Sequence, residues 1–214
     1  MRRSFLFALI VFSGAVASHA EDWPQWRGPS RDGIWSESGI RTELDEEQLT
    51  PLWTVPIGSG YCGPTVAEGR VYVMDRILDP ERIERILCFN STTGEAIWDY
   101  EYESEYKRVG YTAGPRASVL IHEGLAYALG TMGHLHCLDA ASGELIWKRD
   151  LQEEYEIDIP IWGVSASPII EGDLLILQAG VLEGGCVMTF NRLTGEEVWR
   201  SVDGRSSYSA PIVV

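Results

Sequence analysis

A nine-residue stretch occurs three times in this chain of 214 residues, and it restricts the fold more than any other feature. It reads Asn90-Ser91-Thr92-Thr93-Gly94-Glu95-Ala96-Ile97-Trp98, then Asp139-Ala140-Ala141-Ser142-Gly143-Glu144-Leu145-Ile146-Trp147, then Asn191-Arg192-Leu193-Thr194-Gly195-Glu196-Glu197-Val198-Trp199. Each copy begins with Asn or Asp, sets Ser or Thr before a Gly-Glu pair, and carries a Trp four places after the Gly. An Asn or Asp side chain closes a turn on its own backbone, and Gly supplies a positive φ without steric cost. The aliphatic-Trp pair then opens a strand, so each copy predicts a hairpin. Gly94 and Gly143 are 49 residues apart, and Gly143 and Gly195 are 52 apart. Strand-built repeats of roughly 40 to 50 residues are propeller blades.

The intervening segments supply the other strands. Pro64-Thr65-Val66, Val71-Tyr72-Val73-Met74 and Ile86-Leu87-Cys88-Phe89 precede the first turn, and matching triplets precede the second and third. Four strands per unit is the count for a blade. Second strands such as Leu125 to Leu129 are apolar without alternation, as expected when neighbouring blades cover both faces. The blades are placed at about 60–101, 114–150 and 163–203. Leu52-Trp53-Thr54-Val55 looks like the strand after each turn, yet no strands of its own precede it. Residues 205–214 match the first strand of a further blade. The expected fold is all-β: a β-propeller of four-stranded antiparallel blades over 51–214, present as an incomplete arc of three blades with orphan closing and opening strands. Because propellers close with about 4 to 8 blades, the arc is expected to be a portion of a longer chain or to borrow blades from another copy.

Residues 1–20 read as an export signal. Arg2 and Arg3 precede a short apolar run, Phe5 to Phe12, and Ser18-His19-Ala20 offers small residues for cleavage. The run is shorter than the roughly 20 residues of a membrane span. Arg2-Arg3 leaves both the general and the twin-arginine export routes open. No Cys stands at the cleavage point, so no membrane anchor is predicted, and the protein is placed in the periplasm or outside the cell. The formal charge is −15 and becomes −17 without Arg2 and Arg3. Such a field repels nucleic acid and favours solubility or cationic partners. Residues 21–50 form an irregular N-terminal extension, in which Asp22-Trp23-Pro24-Gln25-Trp26-Arg27-Gly28-Pro29 precedes the acidic Glu43 to Glu47. Trp23 and Trp26 read as a clamp onto the domain, with ligand binding as the alternative.

The four cysteines allow two disulfides with three pairings. Cys88 and Cys137 occupy equivalent sites in successive repeats, however, and read as small buried residues. Cys62 and Cys186 are less constrained, and no CxxC spacing supports a metal.

The repeated turn resembles the tryptophan-docking repeat of the pyrroloquinoline quinone-like propellers related to the quinoprotein alcohol dehydrogenases. Gly94, Trp98, Gly143, Trp147, Gly195 and Trp199 carry the likeness, with Asp139, Asn90 and Asn191 at the acidic position and Cys88, Cys137 and Thr189 replacing a leading Ala. The Asp22 to Pro29 segment followed by blades is similar to a group of exported bacterial propellers. The outer-membrane-assembly propeller lipoprotein shares the repeat, but its lipid-anchoring Cys has no counterpart here. The resemblance implies a propeller, with pyrroloquinoline quinone and calcium as the family's cofactors. The vicinal cysteine pair that covers the quinone in that family is missing.

A quinone site needs carboxylates around calcium and an Asp base. Asp75, Asp79, Glu153, Glu154, Glu156 and Asp158 are the candidate acids, and they read as members of solvated loops. His134 and His136 share one face of a strand at a spacing some metal sites use. One of them fills a core slot by comparison with Arg85 and Leu87, and no metal ligand is assigned. No catalytic residue is assigned either. The leading ends of the innermost strands place Tyr61, Arg116, Trp162 and Tyr208 at one mouth of the channel, suited to stacking on a ligand or gripping a peptide, or else to loop packing. Three functions remain: a non-catalytic exported scaffold that binds a protein or small-molecule ligand, part of a quinone- and calcium-dependent dehydrogenase, and a sugar- or polymer-binding propeller.

Overall fold

The computed structural model describes residues 21–40, 43–45, 50–79, 82–181 and 183–213. The export signal, Glu46, Glu47 and Val214 lie outside them. The first sheet contains β1 (Thr65–Ala67), β2 (Arg70–Ile77), β3 (Ile83–Asn90) and β4 (Ala96–Glu103) in sequence order. The second contains β5 (Leu120–His122), β6 (Leu125–Leu129), β7 (His134–Asp139) and β8 (Leu145–Asp150). A short helix, α1 (Leu151–Tyr155), follows. The third sheet contains β9 (Ile169–Glu171), β10 (Leu174–Val181), β11 (Gly185–Asn191) and β12 (Glu197–Ser201). All pairings are antiparallel, giving three blades of an incomplete propeller.

The repeated turns are alike to the atom. Asn90 Oδ1 accepts from the amides of Thr92 and Thr93, Asp139 Oδ1 from Ala141 and Ser142, and Asn191 Oδ1 from Leu193 and Thr194. Each glycine amide donates back to the first carbonyl of its turn at 2.8–2.9 Å. The register shifts at the same step in each blade, at Cys88/Phe89, Cys137/Leu138 and Thr189/Phe190.

Three tryptophans reach forward to the next turn. The Trp53 indole donates to the Ser91 carbonyl, Trp98 to Ala140 and Trp147 to Arg192, at 3.0–3.1 Å. The indole faces lie flat on Gly94, Gly143 and Gly195. A Cβ at Gly143 would stand 2.6 Å from the Trp98 ring, and φ there is +75°. Glycine is required at these turns both for the backbone angle and for the contact. Tyr72 and Tyr127 repeat the same forward reach through their hydroxyls, to Ala140 and Arg192.

The core sits between blades. Tyr72, Met74, Ile86 and Cys88 of the first blade meet Ala126, Ala128 and Leu138 of the second. Tyr127, Leu129, Leu135 and Cys137 on the opposite face of the second blade meet Leu175, Leu177, Met188 and Phe190 of the third. Both faces of β6 and β7 are therefore buried, which is why their sequences do not alternate. Each fully buried Leu, Ile, Met or Phe among them contributes about 1.5–3 kcal/mol by leaving water.

Leu52 to Val55 and residues 207–213 are not strands. A strand persists only beside a ladder partner, and neither segment has one among the described residues. Trp53 nonetheless docks in the same way as the strand-borne tryptophans. All four cysteines are unpaired thiols, with Cys88 and Cys137 fully buried. The N-terminal extension crosses the inner strands. Trp23 exchanges both backbone bonds with Val66 of β1, at 2.7 and 3.0 Å, and Pro24 accepts from Ile121 of β5 at 2.8 Å. Trp23 folds back onto Gly28, leaving no space for a side chain there.

Candidate functional site

Short inner strands leave their leading loops to form one end of the arc, and those loops converge because their backbones come very close. A Cβ at Gly114 would overlap the Ser59 carbonyl, and one at Gly163 would stand 2.4 Å from Thr131 Cγ2. Tyr61 N donates to the Pro115 carbonyl at 2.8 Å, and Val164 N to Thr131 at 2.9 Å. These contacts bring Tyr61, Arg116, Trp162 and Tyr208 around one recess of about 260 Å³, joined by Tyr111 and Ser165. The Trp162 and Tyr208 rings lie 5.0 Å apart at 34°. The Arg116 guanidinium sits 5.2 Å from the centre of Tyr61.

Arg116 serves as the organiser of this basin. Its terminal nitrogens donate to the carbonyls of Gly114, Gly110 and Tyr111 and to Thr131 Oγ1. Those bonds occupy its terminal donors, so the guanidinium holds the 110–116 loop and brings positive charge rather than open hydrogen bonds. Tyr111 rests at φ 55°, a left-handed angle uncommon outside Gly, Asn and Asp. Its carbonyl is clamped by Arg116 while its ring stands 71% exposed at the rim. Such strain costs on the order of 1–3 kcal/mol and persists where surrounding contacts fix it. Tyr111 was not among the residues expected here. It lies in an insertion between blades, where repeat alignment gives no position, although an aromatic beside Gly110 was the available signal.

The candidate acids are placed elsewhere. Asp75 is fully buried and takes two bonds from Arg85, at 2.9 and 2.6 Å, and one from Gly58 N. It is a buried ion pair and not the solvated loop acid expected from sequence, because Arg85 stands directly across the β2–β3 ladder. Asp79 is in an exposed loop. Glu153 and Glu154 belong to α1, whose first turn is capped by the Asp150 carboxylate. Glu154 pairs with Arg149 at 2.9 Å, Glu156 ends the helix at φ 52°, and Asp158 pairs with Arg205 at 3.3 Å.

His134 and His136 face the first blade. His134 Nε2 lies 3.5 Å from Asp150 Oδ2. His136 is 2% exposed, its ring 4.3 Å from Tyr102 and 5.3 Å from Tyr100. Burial, assisted by His134 and Lys148, lowers its imidazole to about 3, so it is neutral in the fold. Among the described residues, no group of three His, Cys, Asp or Glu side chains is arranged to hold a metal ion. Asp75 is held by Arg85, Glu154 by Arg149 and Asp158 by Arg205, so among the described residues these acids do not gather into the oxygen donor set that a quinone-calcium centre uses.

One buried carboxylate escaped sequence reading. Glu84 is fully buried between the first two blades, where its oxygens accept from the hydroxyls of Tyr102 and Tyr106 and from Thr131 N. Burial and the adjacent carboxylate raise both phenols well above their usual range, so both stay protonated and donate. Arg76 lies over the Tyr106 ring at 3.8 Å.

Residues 82–213 match the family described as outer membrane protein assembly factor BamB. A search of the curated proteins returns no match. Among solved structures, the quinohemoprotein alcohol dehydrogenase of Comamonas testosteroni is similar over 87% of this chain and 28% of its own, with 21% identity and a TM-score of 0.58. The quinohemoprotein alcohol dehydrogenase ADHIIG of Pseudomonas putida HK5 is similar over 69% and 21%, with 21% identity and a TM-score of 0.53. A europium-containing methanol dehydrogenase is similar over 69% and 25%, with 17% identity and a TM-score of 0.52. The chain thus spans about a quarter of the length of these dehydrogenases, and the likeness is one of fold.

Proposed function

Given that this chain belongs to the propeller family described as outer membrane protein assembly factor BamB, we propose that it is an exported, non-catalytic scaffold whose aromatic basin binds a protein partner. The observation that carries the reading is the convergence of Tyr61, Tyr111, Trp162 and Tyr208 from separate loops on one recess. Rings with two rotatable bonds give large contact area at low entropic cost, and aromatic anchors dominate protein interfaces. The recess offers ring faces and few hydrogen-bonding groups, which suits an apolar or aromatic side chain better than a sugar. The assembly-factor family supports a protein-binding role, and the export signal read from the sequence of residues 1–20 supports export. Asp75 and Glu84 are committed to internal partners, which weighs against the dehydrogenase reading.

The test is calorimetric titration with the tripeptides Gly-Trp-Gly and Gly-Ala-Gly. Saturable binding of the first alone is expected, weakened at least about tenfold by Trp162→Ala, as for loss of one stacked anchor. Equal responses to both peptides, or no effect of Trp162→Ala, contradict the reading. Stoichiometric uptake of a redox-active quinone with calcium would favour a dehydrogenase instead.

A further inference from the structure

Beside the aromatic basin lies a second recess of about 430 Å³, walled on one side by the N-terminal extension and on the other by the inner-strand loops and residues 208–212. We infer that this recess binds an organic oxyanion, a carboxylate or a phosphate, through Arg27 and Arg31, with Arg116 adding charge. The inference does not depend on what occupies the neighbouring basin.

Acidic residues outnumber basic ones by 32 to 17 in this chain, so an arginine ordinarily finds a carboxylate. Arg82, Arg85, Arg149, Arg192, Arg200 and Arg205 all do. Arg27, Arg31 and Arg116 have no carboxylate partner among the described residues, as Arg70 and Arg108 have none, but these three gather on one recess whose walls hold no acidic residue. The nearest acid in sequence, Asp32, turns its carboxylate to the Ile34 amide instead.

A guanidinium has five N–H donors. Arg27 donates to the Asp32 carbonyl at 3.0 Å, and Arg31 to the Pro211 carbonyl at 3.3 Å and to Gln25 Oε1. Donors remain on both, and these backbone and amide contacts aim the side chains without neutralising them. Ser165 Oγ is buried at the wall with no hydrogen-bond partner. Trp26, 49% exposed, presents a ring against which the body of an organic ligand can lie. Arg31 is half buried, and burial without a counter-ion lowers its guanidinium to about 10. An anion in the recess offsets that cost, and two arginine forks match the paired oxygens of a carboxylate or phosphate.

The probes are citrate and inorganic pyrophosphate, titrated calorimetrically into the full chain at constant ionic strength. Saturable binding of at least one is expected. Preference for citrate assigns a carboxylate ligand, preference for pyrophosphate a phosphate, and equal affinity an oxyanion site open to both. Arg27→Gln should weaken binding at least about tenfold, as for loss of a charge-assisted bidentate contact. Arg27→Lys, which keeps the charge and loses the fork, should recover part of it. Arg82→Gln, on an exposed loop, should change nothing. Absence of saturable binding with both probes, or an Arg27→Gln variant that binds like the parent, overturns the inference.

Discussion

At the scale of the residue, the Trp-on-Gly contact carries most of the specificity of the blade junctions. Gly143→Ala places a methyl group against the Trp98 ring at a positive φ, and destabilisation by about 2–4 kcal/mol is expected. Trp98→Ala removes the same contact from the other side at a cost of about 2–4 kcal/mol. Trp199 has the same place in its blade, but it is 42% exposed, and no glycine lies beneath it among the described residues. Trp199→Ala is therefore expected to cost less than about 1 kcal/mol. Denaturant midpoints of the three variants check the ranking, and equal losses at Trp98 and Trp199 would contradict it. Thiol chemistry is a second residue-scale reading. Burial pushes Cys88 up to about 11 and Cys137 up to about 12, so neither forms thiolate near neutrality. Alkylation of the native protein should spare both until it unfolds.

At the scale of the element, the second blade is held by apolar contact toward the third and by a partly polar seam toward the first. His136 titrates near 3 in the fold and near 6.5 when unfolded, so the unfolded chain takes up the proton first as pH falls. Its contribution to stability is complete above about pH 6.5 and is lost progressively down to about pH 3, roughly 2–3 kcal/mol having gone by about pH 4.5. His136→Phe should flatten the stability curve across that window, and an unchanged curve would remove His136 as the cause. Glu84→Ala strips Tyr102, Tyr106 and Thr131 of a shared buried acceptor, and a loss of about 2–5 kcal/mol is expected in thermal or denaturant unfolding, at about 1–3 kcal/mol for each donor left unsatisfied. Blade number and the strand order within each blade were legible from the turns, because Asn or Asp, Gly and Trp recur at fixed offsets that local chemistry explains. Glu84 was not legible, since a carboxylate in a strand reads as solvent-facing until the connection that supplies Tyr106 and the second blade that supplies Thr131 are in place. Helix α1 was hidden for a related reason: five residues carry too little periodicity, and the Asp150 cap alone starts it.

At the scale of the whole molecule, three blades and an extension meet at one end, where function is proposed. Repeat alignment placed Tyr61, Arg116, Trp162 and Tyr208 at that end because equivalent strands begin at equivalent depths. It could not place Tyr111, Trp26, Arg27 or Arg31, which enter from an insertion and from the N-terminal segment and have no repeat counterpart. The tryptophans supply a built-in reporter for the central claim. Trp53, Trp98 and Trp147 have their indole N–H groups tied to carbonyls inside blade junctions, whereas Trp162 stands open in the basin. The deciding measurement is the shift of the eight assigned indole N–H resonances during titration with Gly-Trp-Gly. A saturable shift at Trp162, with Trp53, Trp98 and Trp147 unmoved, is predicted. A still Trp162, or a uniform drift of all the indoles, would contradict a binding basin at the channel mouth.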